Sequence, residues 1–193
     1  MSARAEPIVI TGFMGAGKTT VAAALAERLR CRMVDLDQFI ERREGRAPQI
    51  IIDEDGETRF REIETEALRE VLQTSDARVI ALGGGTWTLE HNRTLIGEYD
   101  GYVLWLDAPF ELCWQRIERE INVRPLARDR AKAHELYDER RKPYRQGTVL
   151  VPVDESKSPE AIVNWIVSFW QYTRRPRWPG DAADENAYDT EKR

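Results

Sequence analysis

This chain of 193 residues is poor in the side chains that build disulfide frameworks and metal clusters. It holds two cysteines, Cys31 and Cys113, far apart and without metal-ligand spacing. That argues against a disulfide scaffold or a zinc site and predicts reduced thiols in a cytosolic protein. The two histidines, His91 and His134, have no metal-type neighbour. No apolar run approaches the roughly 20 residues that a membrane-crossing helix needs. The opening stretch Met1–Glu6 is too short and polar to read as a signal peptide. Positive charge is not in surplus either. A formal net charge of -5 and a pI of about 5.3 argue against binding nucleic acid or an anionic membrane through bulk charge. No internal repeat is visible. What remains is an ordinary globular composition, 41% hydrophobic and 33% charged, long enough for one domain with a sizeable core.

The most informative stretch is Gly12-Phe13-Met14-Gly15-Ala16-Gly17-Lys18-Thr19, which fits the phosphate-binding pattern G-x-x-x-x-G-K-[ST] at every fixed position. Its surroundings agree. Pro7–Ile10 reads as a buried strand, and Thr20–Leu29 as a helix with apolar Val21, Ala22, Leu25, Ala26 and Leu29. Backbone N–H groups of a glycine loop, with a helix N-terminus behind them, converge on phosphate oxygens. Gly12, Gly15, Ala16, Gly17, Lys18, Thr19 and Thr20 are therefore expected at a nucleotide, with Lys18 on the β/γ-phosphates and Thr19 on Mg²⁺.

The rest alternates strand and helix. Strands are predicted at Arg32–Asp37, Arg78–Leu82, Tyr102–Leu106 and Val149–Val153, the last at an edge because of Pro152. Helices are predicted at Gln38–Glu44, Glu57–Gln73, Leu89–Gly97, Pro109–Arg119 and Arg130–Tyr144, and from Pro159 onward with Ser158 as N-cap. Pro48 breaks the local pattern, and Ile50–Ile52 leads into a turn at Asp53–Gly56. Residues 118–130 read as a charged lid, and 174–193 as a disordered tail. Short apolar strands between helices mean an α/β fold: one parallel sheet of about five strands covered on both faces. Ligands then bind at the carboxyl ends of the strands.

Several groups there could do chemistry. Asp35 and Asp37, two apart on a strand, would share a face, one serving Mg²⁺ and the other a substrate hydroxyl. Asp also favours turns and helix caps. Arg61 lies four residues after Glu57 and three before Glu64, and spacing alone makes it a surface ion pair. Gly83-Gly84-Gly85 at a strand end is either a close approach for a ligand or a loose turn. Arg116, Arg119, Arg124, Arg128 and Arg130 crowd the lid region. A charge run is usually a solvated face, but phosphoryl transfer also needs a cation on the developing charge.

Taken in order, these motifs resemble the shikimate kinase family from Ile8 to about Trp170. They are the phosphate loop, Asp35-Leu36-Asp37, Asp55-Gly56-Glu57-x-x-Phe60-Arg61-x-Ile63-Glu64, Gly83-Gly84-Gly85, Val123-Arg124-Pro125-Leu126 and Leu136-x-x-Glu139-Arg140-x-x-x-Tyr144. The resemblance implies a single-domain P-loop kinase fold of the nucleoside-monophosphate-kinase type. It also implies ATP-dependent phosphorylation of the 3-hydroxyl of shikimate. It carries Thr19 and Asp35 over as the Mg²⁺ residues and Asp37 as the base or orienter. Arg61 and Arg140 become the grip on the substrate carboxylate, with Glu64 and Gly83–Gly85 also in the substrate site. Arg124 becomes the lid cation, and Arg116 and Lys157–Pro159 flank adenine. The implied protein is a cytoplasmic monomer. Ala47-Pro48 and Ile52 depart from the family pattern, which usually has Ser-Ile and a pocket phenylalanine there. The spacing of Arg116 and Arg124 and the loop before Pro159 also differ by one residue. The alternatives are a related kinase for another hydroxy acid such as gluconate, and a nucleotide-binding module without catalysis.

Overall fold

Strand β1 (Ile8–Gly12) is buried at all five positions. Successive side chains of a strand point to opposite faces, so burial of every one requires cover on both sides. The computed structural model, which describes residues 6–119 and 129–172, supplies that cover. After β1 come α1 (Lys18–Arg28), β2 (Met33–Asp35), α2 (Leu36–Glu44), α3 (Pro48–Asp55), α4 (Glu57–Thr74) and β3 (Val79–Ala81). A 3-10 turn (Thr86–Thr88), α5 (Glu90–Glu98), β4 (Tyr102–Asp107), α6 (Phe110–Arg119), α7 (Arg130–Tyr144), β5 (Val149–Pro152) and α8 (Pro159–Tyr172) complete the order.

The strands form one parallel sheet in the order β2-β3-β1-β4-β5. Ile8 stands level with Val79 on one side and Tyr102 on the other. The chain steps from β1 out to β2, back through β3, then across to β4 on the far side of β1. That reversal opens a crevice at the carboxyl end of the central strand. Helix α1 packs against α8, and α4 against α2, α3 and α5. Helix α4 forms because Phe60, Ile63, Ala67, Leu68, Val71 and Leu72 return to one side at helical spacing, and all six are buried. Ser158 takes the N–H of Ala161 at 3.2 Å and caps α8 as expected. β5 is an edge strand with Pro152 at its end, also as expected.

Three local readings need correction. Pro48–Asp55 is a helix rather than a break and a turn: Ala47 is its N-cap and Pro48 sits in its first turn, where proline starts helices. Only Gly56, at φ +89°, interrupts the path into α4. Helix α1 begins at Lys18, not Thr20, because Gly17 caps it. And β2 stops at Asp35, so Asp35 and Asp37 do not share a strand face; Asp37 lies in the first turn of α2. The departures at Ala47-Pro48 and Ile52 thus fall in α3, where Ile52 is half-buried against the core.

Of the segment read as a lid, Glu118 and Arg119 end α6, Asp129 caps α7 and Arg130 opens it. Residues 120–128, with Arg124 and Arg128, lie outside the described residues, as do 173–193. Among the described residues no helix is long and apolar enough to cross a membrane.

Candidate active site

The loop after β1 is shaped by what surrounds it. Gly15 has φ +76°, and a Cβ there would lie 2.6 Å from the carbonyl oxygen of Cys113 on α6, so only glycine fits. Gly17 caps α1 in the left-handed region with no side chain on the first N–H groups and no acid in the first turn. Those donors and the positive end of the helix are left for an anion. Lys18 Nζ donates to the Phe13 carbonyl at 3.1 Å, folded across its own loop. Arg116 Nη1 donates to the Gly15 carbonyl at 3.0 Å and ties α6 to the loop. Burial pushes the Cys113 thiol up to about 11, against the pull of Lys18 and Arg116. It stays protonated beside the loop and is no nucleophile.

A cavity of about 450 Å³ opens over this loop, lined also by Asp35, Asp37 and Gly84, and by Arg116, Lys157 and Pro159. Asp35 does two jobs with its two oxygens. Oδ1 takes the N–H of Gln38 at 3.1 Å and caps α2, and Oδ2 accepts the Thr19 hydroxyl at 2.6 Å. The cap reading and the metal reading of Asp35 are thus compatible. A hydroxyl and a carboxylate in contact are an all-oxygen donor set that suits Mg²⁺, which takes few protein ligands and fills the rest with water and phosphate.

Gly83–Gly85 is not a loose turn. A Cβ on Gly83 would sit 2.7 Å from Asp37 Oδ1 and 2.8 Å from Glu64 Oε1. On Gly84 it would sit 3.3 Å from Arg140 Nη1, and on Gly85 2.5 Å from both terminal nitrogens of Arg61. Three successive glycines therefore carry, in turn, two carboxylates, one guanidinium and a second guanidinium. Arg61 donates to Glu57 at 2.9 Å and Glu64 at 2.8 Å, so the ion-pair reading of its spacing is right as far as it goes. Burial works against the Arg61 cation, but the two glutamates outweigh it and hold its pKa above the usual arginine value. Glu64 is fully buried and also accepts the Thr86 hydroxyl at 2.6 Å. It faces the glycine loop as a support for Arg61.

Arg61 and Arg140 line a second cavity of about 440 Å³ with Glu57, Leu136 and Glu139. Arg140 has no carboxylate partner among the described residues; its charge acts on the neighbouring Tyr144 hydroxyl. Burial pushes the pKa of the Tyr144 hydroxyl up, so it stays protonated, and it donates a hydrogen bond to the Gly84 carbonyl at 2.5 Å. The next residue, Arg141, looks elsewhere. Its fork meets Asp107 at the end of β4 at 2.7 and 3.2 Å, and it also donates to the Tyr137 hydroxyl at 2.6 Å. Of the other arginines in the lid region, Arg130 pairs with Glu111 and Arg119 is exposed.

The structure thus gathers Gly15–Thr20, Asp35, Asp37, Arg116 and Pro159 around one cavity, with Gly12 buried at the end of β1 and outside its lining. Gly84 joins that cavity to Arg140, and Gly85 lies against Arg61. Sequence reasoning missed Thr86 and the bond from Tyr144 to Gly84. Thr86 carries no signal, because its partner Glu64 is 22 residues away. Tyr144 itself stands in the motif four residues after Arg140, but its partner Gly84 is 60 residues away and leaves no mark there.

A sequence model of shikimate kinases matches residues 14–171. The shikimate kinase of Persephonella marina is 38% identical over 83% of this chain and 96% of its own length. That of Lactococcus lactis is 38% identical over 84% and 97%. Among solved structures, the shikimate kinase from Acinetobacter baumannii in complex with shikimate superposes with a TM-score of 0.79 at 32% identity, over 89% of this chain and 96% of that one. The shikimate kinase from Aquifex aeolicus gives 0.71 at 29% identity, over 86% and 97%.

Proposed function

The chain belongs to the shikimate kinase family, and on that premise we propose that it transfers the γ-phosphoryl group of ATP to the 3-hydroxyl of shikimate, giving ADP and shikimate 3-phosphate. The observation that carries this reading is Arg140. It is a guanidinium with no carboxylate partner among the described residues, beside Gly84 and in the same cavity as Arg61. A second guanidinium next to a phosphate loop calls for an acceptor that brings its own carboxylate.

The loop N–H groups hold the phosphates, and Lys18 leaves Phe13 to meet the β/γ-oxygens. Thr19 and Asp35 would hold Mg²⁺, which neutralises charge on the phosphate oxygens. Arg61 and Arg140 grip the carboxylate, and Glu64 keeps Arg61 in place. Asp37, against Gly83, orients the hydroxyl and takes its proton. The hydroxyl oxygen bonds to the γ-phosphorus as the bond from that phosphorus to the β–γ bridging oxygen breaks. ADP leaves with the bond's electron pair. Arg124, outside the described residues, is assigned by its motif to the charge on the transferring group. Arg116, Lys157 and Pro159 flank adenine. The net charge of -5 supports the absence of a nucleic-acid or anionic-membrane partner, the free thiols of Cys31 and Cys113 support a reducing, cytoplasmic setting, and we take it to act as a monomer.

An ADP-release assay with shikimate, quinate and gluconate in parallel tests the acceptor. Shikimate is expected to be turned over best; preference for gluconate would replace the acceptor, and ATP binding without turnover on any of them would end the kinase reading. Lys18→Met should abolish turnover with an unchanged circular-dichroism spectrum.

A further inference from the structure

The substrate carboxylate is assigned to Arg61, but what aims Arg61 lies one layer deeper. Glu64 is a buried carboxylate whose two oxygens are used differently. Oε2 accepts Arg61 Nη1 at 2.8 Å, and Oε1 accepts the Thr86 hydroxyl at 2.6 Å. Thr86 is itself fully buried, in the short turn that follows the glycines. That turn is held from the far side. Asn92 Nδ2 on α5 donates to the Thr86 carbonyl at 3.0 Å, and Arg93 Nη1 donates to the carbonyls of Trp87 and Thr88 at 2.9 and 2.8 Å. The hydroxyl is thus presented by a braced backbone.

Glu64 has a second neighbour to avoid. Its Oε1 and Asp37 Oδ1 both crowd the same point above the Gly83 Cα. A carboxylate with a free oxygen there can rotate about its last bond, and a rotation that turns Oε2 away from Nη1 releases Arg61. The Thr86 hydroxyl pins Oε1 and so leaves Oε2 to Arg61. A misplacement of about 1 Å at a substrate-holding group is enough to cost up to about a hundredfold.

We propose that Thr86 is a positioning residue for acid recognition: its hydroxyl fixes the Glu64 carboxylate, and through it the direction of Arg61. This rests on the reading of the chain as a kinase whose acceptor is held by its carboxylate. The chain of contacts runs from Thr86 through Glu64 to Arg61 and does not touch the nucleotide cavity. The effect of losing the hydroxyl therefore belongs to the acceptor and not to ATP.

The test is steady-state kinetics on wild type, Thr86→Val and Thr86→Ser, each with and without Arg61→Ala. Thr86→Val keeps shape and removes the donor. The shikimate KM is expected to rise about tenfold, the size of one lost bond to a charged group. The ATP KM should stay within about twofold, and Thr86→Ser should restore the shikimate KM. In the Arg61→Ala background, Thr86→Val should change the shikimate KM no further. A merely structural threonine would raise both KM values together, or would act as strongly without Arg61; either result overturns the proposal. So does a Thr86→Val enzyme with wild-type shikimate KM, or failure of serine to rescue. If Thr86→Val does not fold, Thr86→Ala carries the same comparison with a smaller rise, since water can reach Glu64. Wild-type turnover of shikimate is read in the same assay. Its absence would overturn the acceptor reading and this inference with it, whereas a silent Thr86→Val overturns this inference alone.

Discussion

Arg140 and Arg141 are adjacent in the chain, yet one lines the cavity that also holds Arg61 and the other grips Asp107. Consecutive helical residues point about 100° apart, so the pair cannot share a task. Arg141 and Tyr137, four apart, hold the end of β4, while Arg140 and Tyr144, also four apart, meet Gly84. The consequences of truncation should differ in kind. Arg61→Ala and Arg140→Ala should each weaken shikimate binding by about one to two orders of magnitude, the loss of a charge-assisted contact, and leave ATP binding nearly unchanged. Arg141→Ala should instead cost stability. Its side chain and that of Asp107 are 28% and 19% exposed. The pair is partly screened, and about 1 kcal/mol, or a melting point lower by about 2–4 °C, is the expected scale. Calorimetric titration of shikimate and thermal melts on the three variants separate the two outcomes. A larger affinity loss in Arg141→Ala than in Arg140→Ala would exchange their roles.

At the scale of elements, the glycine loop after β3 is where the site is assembled. Gly85 has φ -103°, an ordinary value, so a side chain is not excluded by the backbone. It is excluded by the Arg61 guanidinium, 2.5 Å from where a Cβ would be. The end of an arginine can move aside, but here at the cost of its bonds to Glu57 and the buried Glu64. Gly85→Ala should therefore still fold, with a melting point lowered by several degrees, about 2–4 °C for each kcal/mol lost, and raise the shikimate KM by at least about tenfold through displacement of Arg61. The ATP KM should hold. Gly15→Ala is the contrasting case, because its neighbour is the Cys113 backbone and its φ is positive; it should lose nucleotide binding and stability together. A Gly85→Ala enzyme that unfolds, or one with an unchanged shikimate KM, would contradict this packing.

For the whole molecule, the five-stranded parallel sheet places the ends of β1, β2 and β3 on one edge, and these carry Lys18, Asp35 and the glycine triplet. Both cavities belong to the folded state alone, so each ligand should stabilise the fold independently. At about a hundred times its Kd, one ligand contributes about 2.7 kcal/mol, a rise of about 5–10 °C for a chain of this size. Thermal shift with shikimate and with ADP should show a rise for each and a larger one for both. No shift with shikimate in wild type would argue against an acid-binding cavity.

Much of this was determined by sequence alone, for a local reason. The phosphate loop, the strand before it and the helix after it are contiguous, and each residue's role follows from its neighbours. The alternation of apolar strands and amphipathic helices likewise dictated a parallel sheet of about five strands, because only cover on both faces buries such runs. Helix α3 was less legible, since Ile50-Ile51-Ile52 before an acidic turn signal hides the helix start that Pro48 provides. Asp37 was found but misplaced, because a three-residue strand that passes directly into a helix leaves no mark between Asp35 and Leu36. The tertiary structure decided what depends on distant residues meeting. It determined that Arg61, ion-paired within its own helix, also packs against Gly85, that Gly83–Gly85 is packed rather than loose, and that Thr86 bonds to Glu64. Those facts depend on α4, α7 and the end of β3 converging, and a chain read residue by residue carries no measure of that convergence.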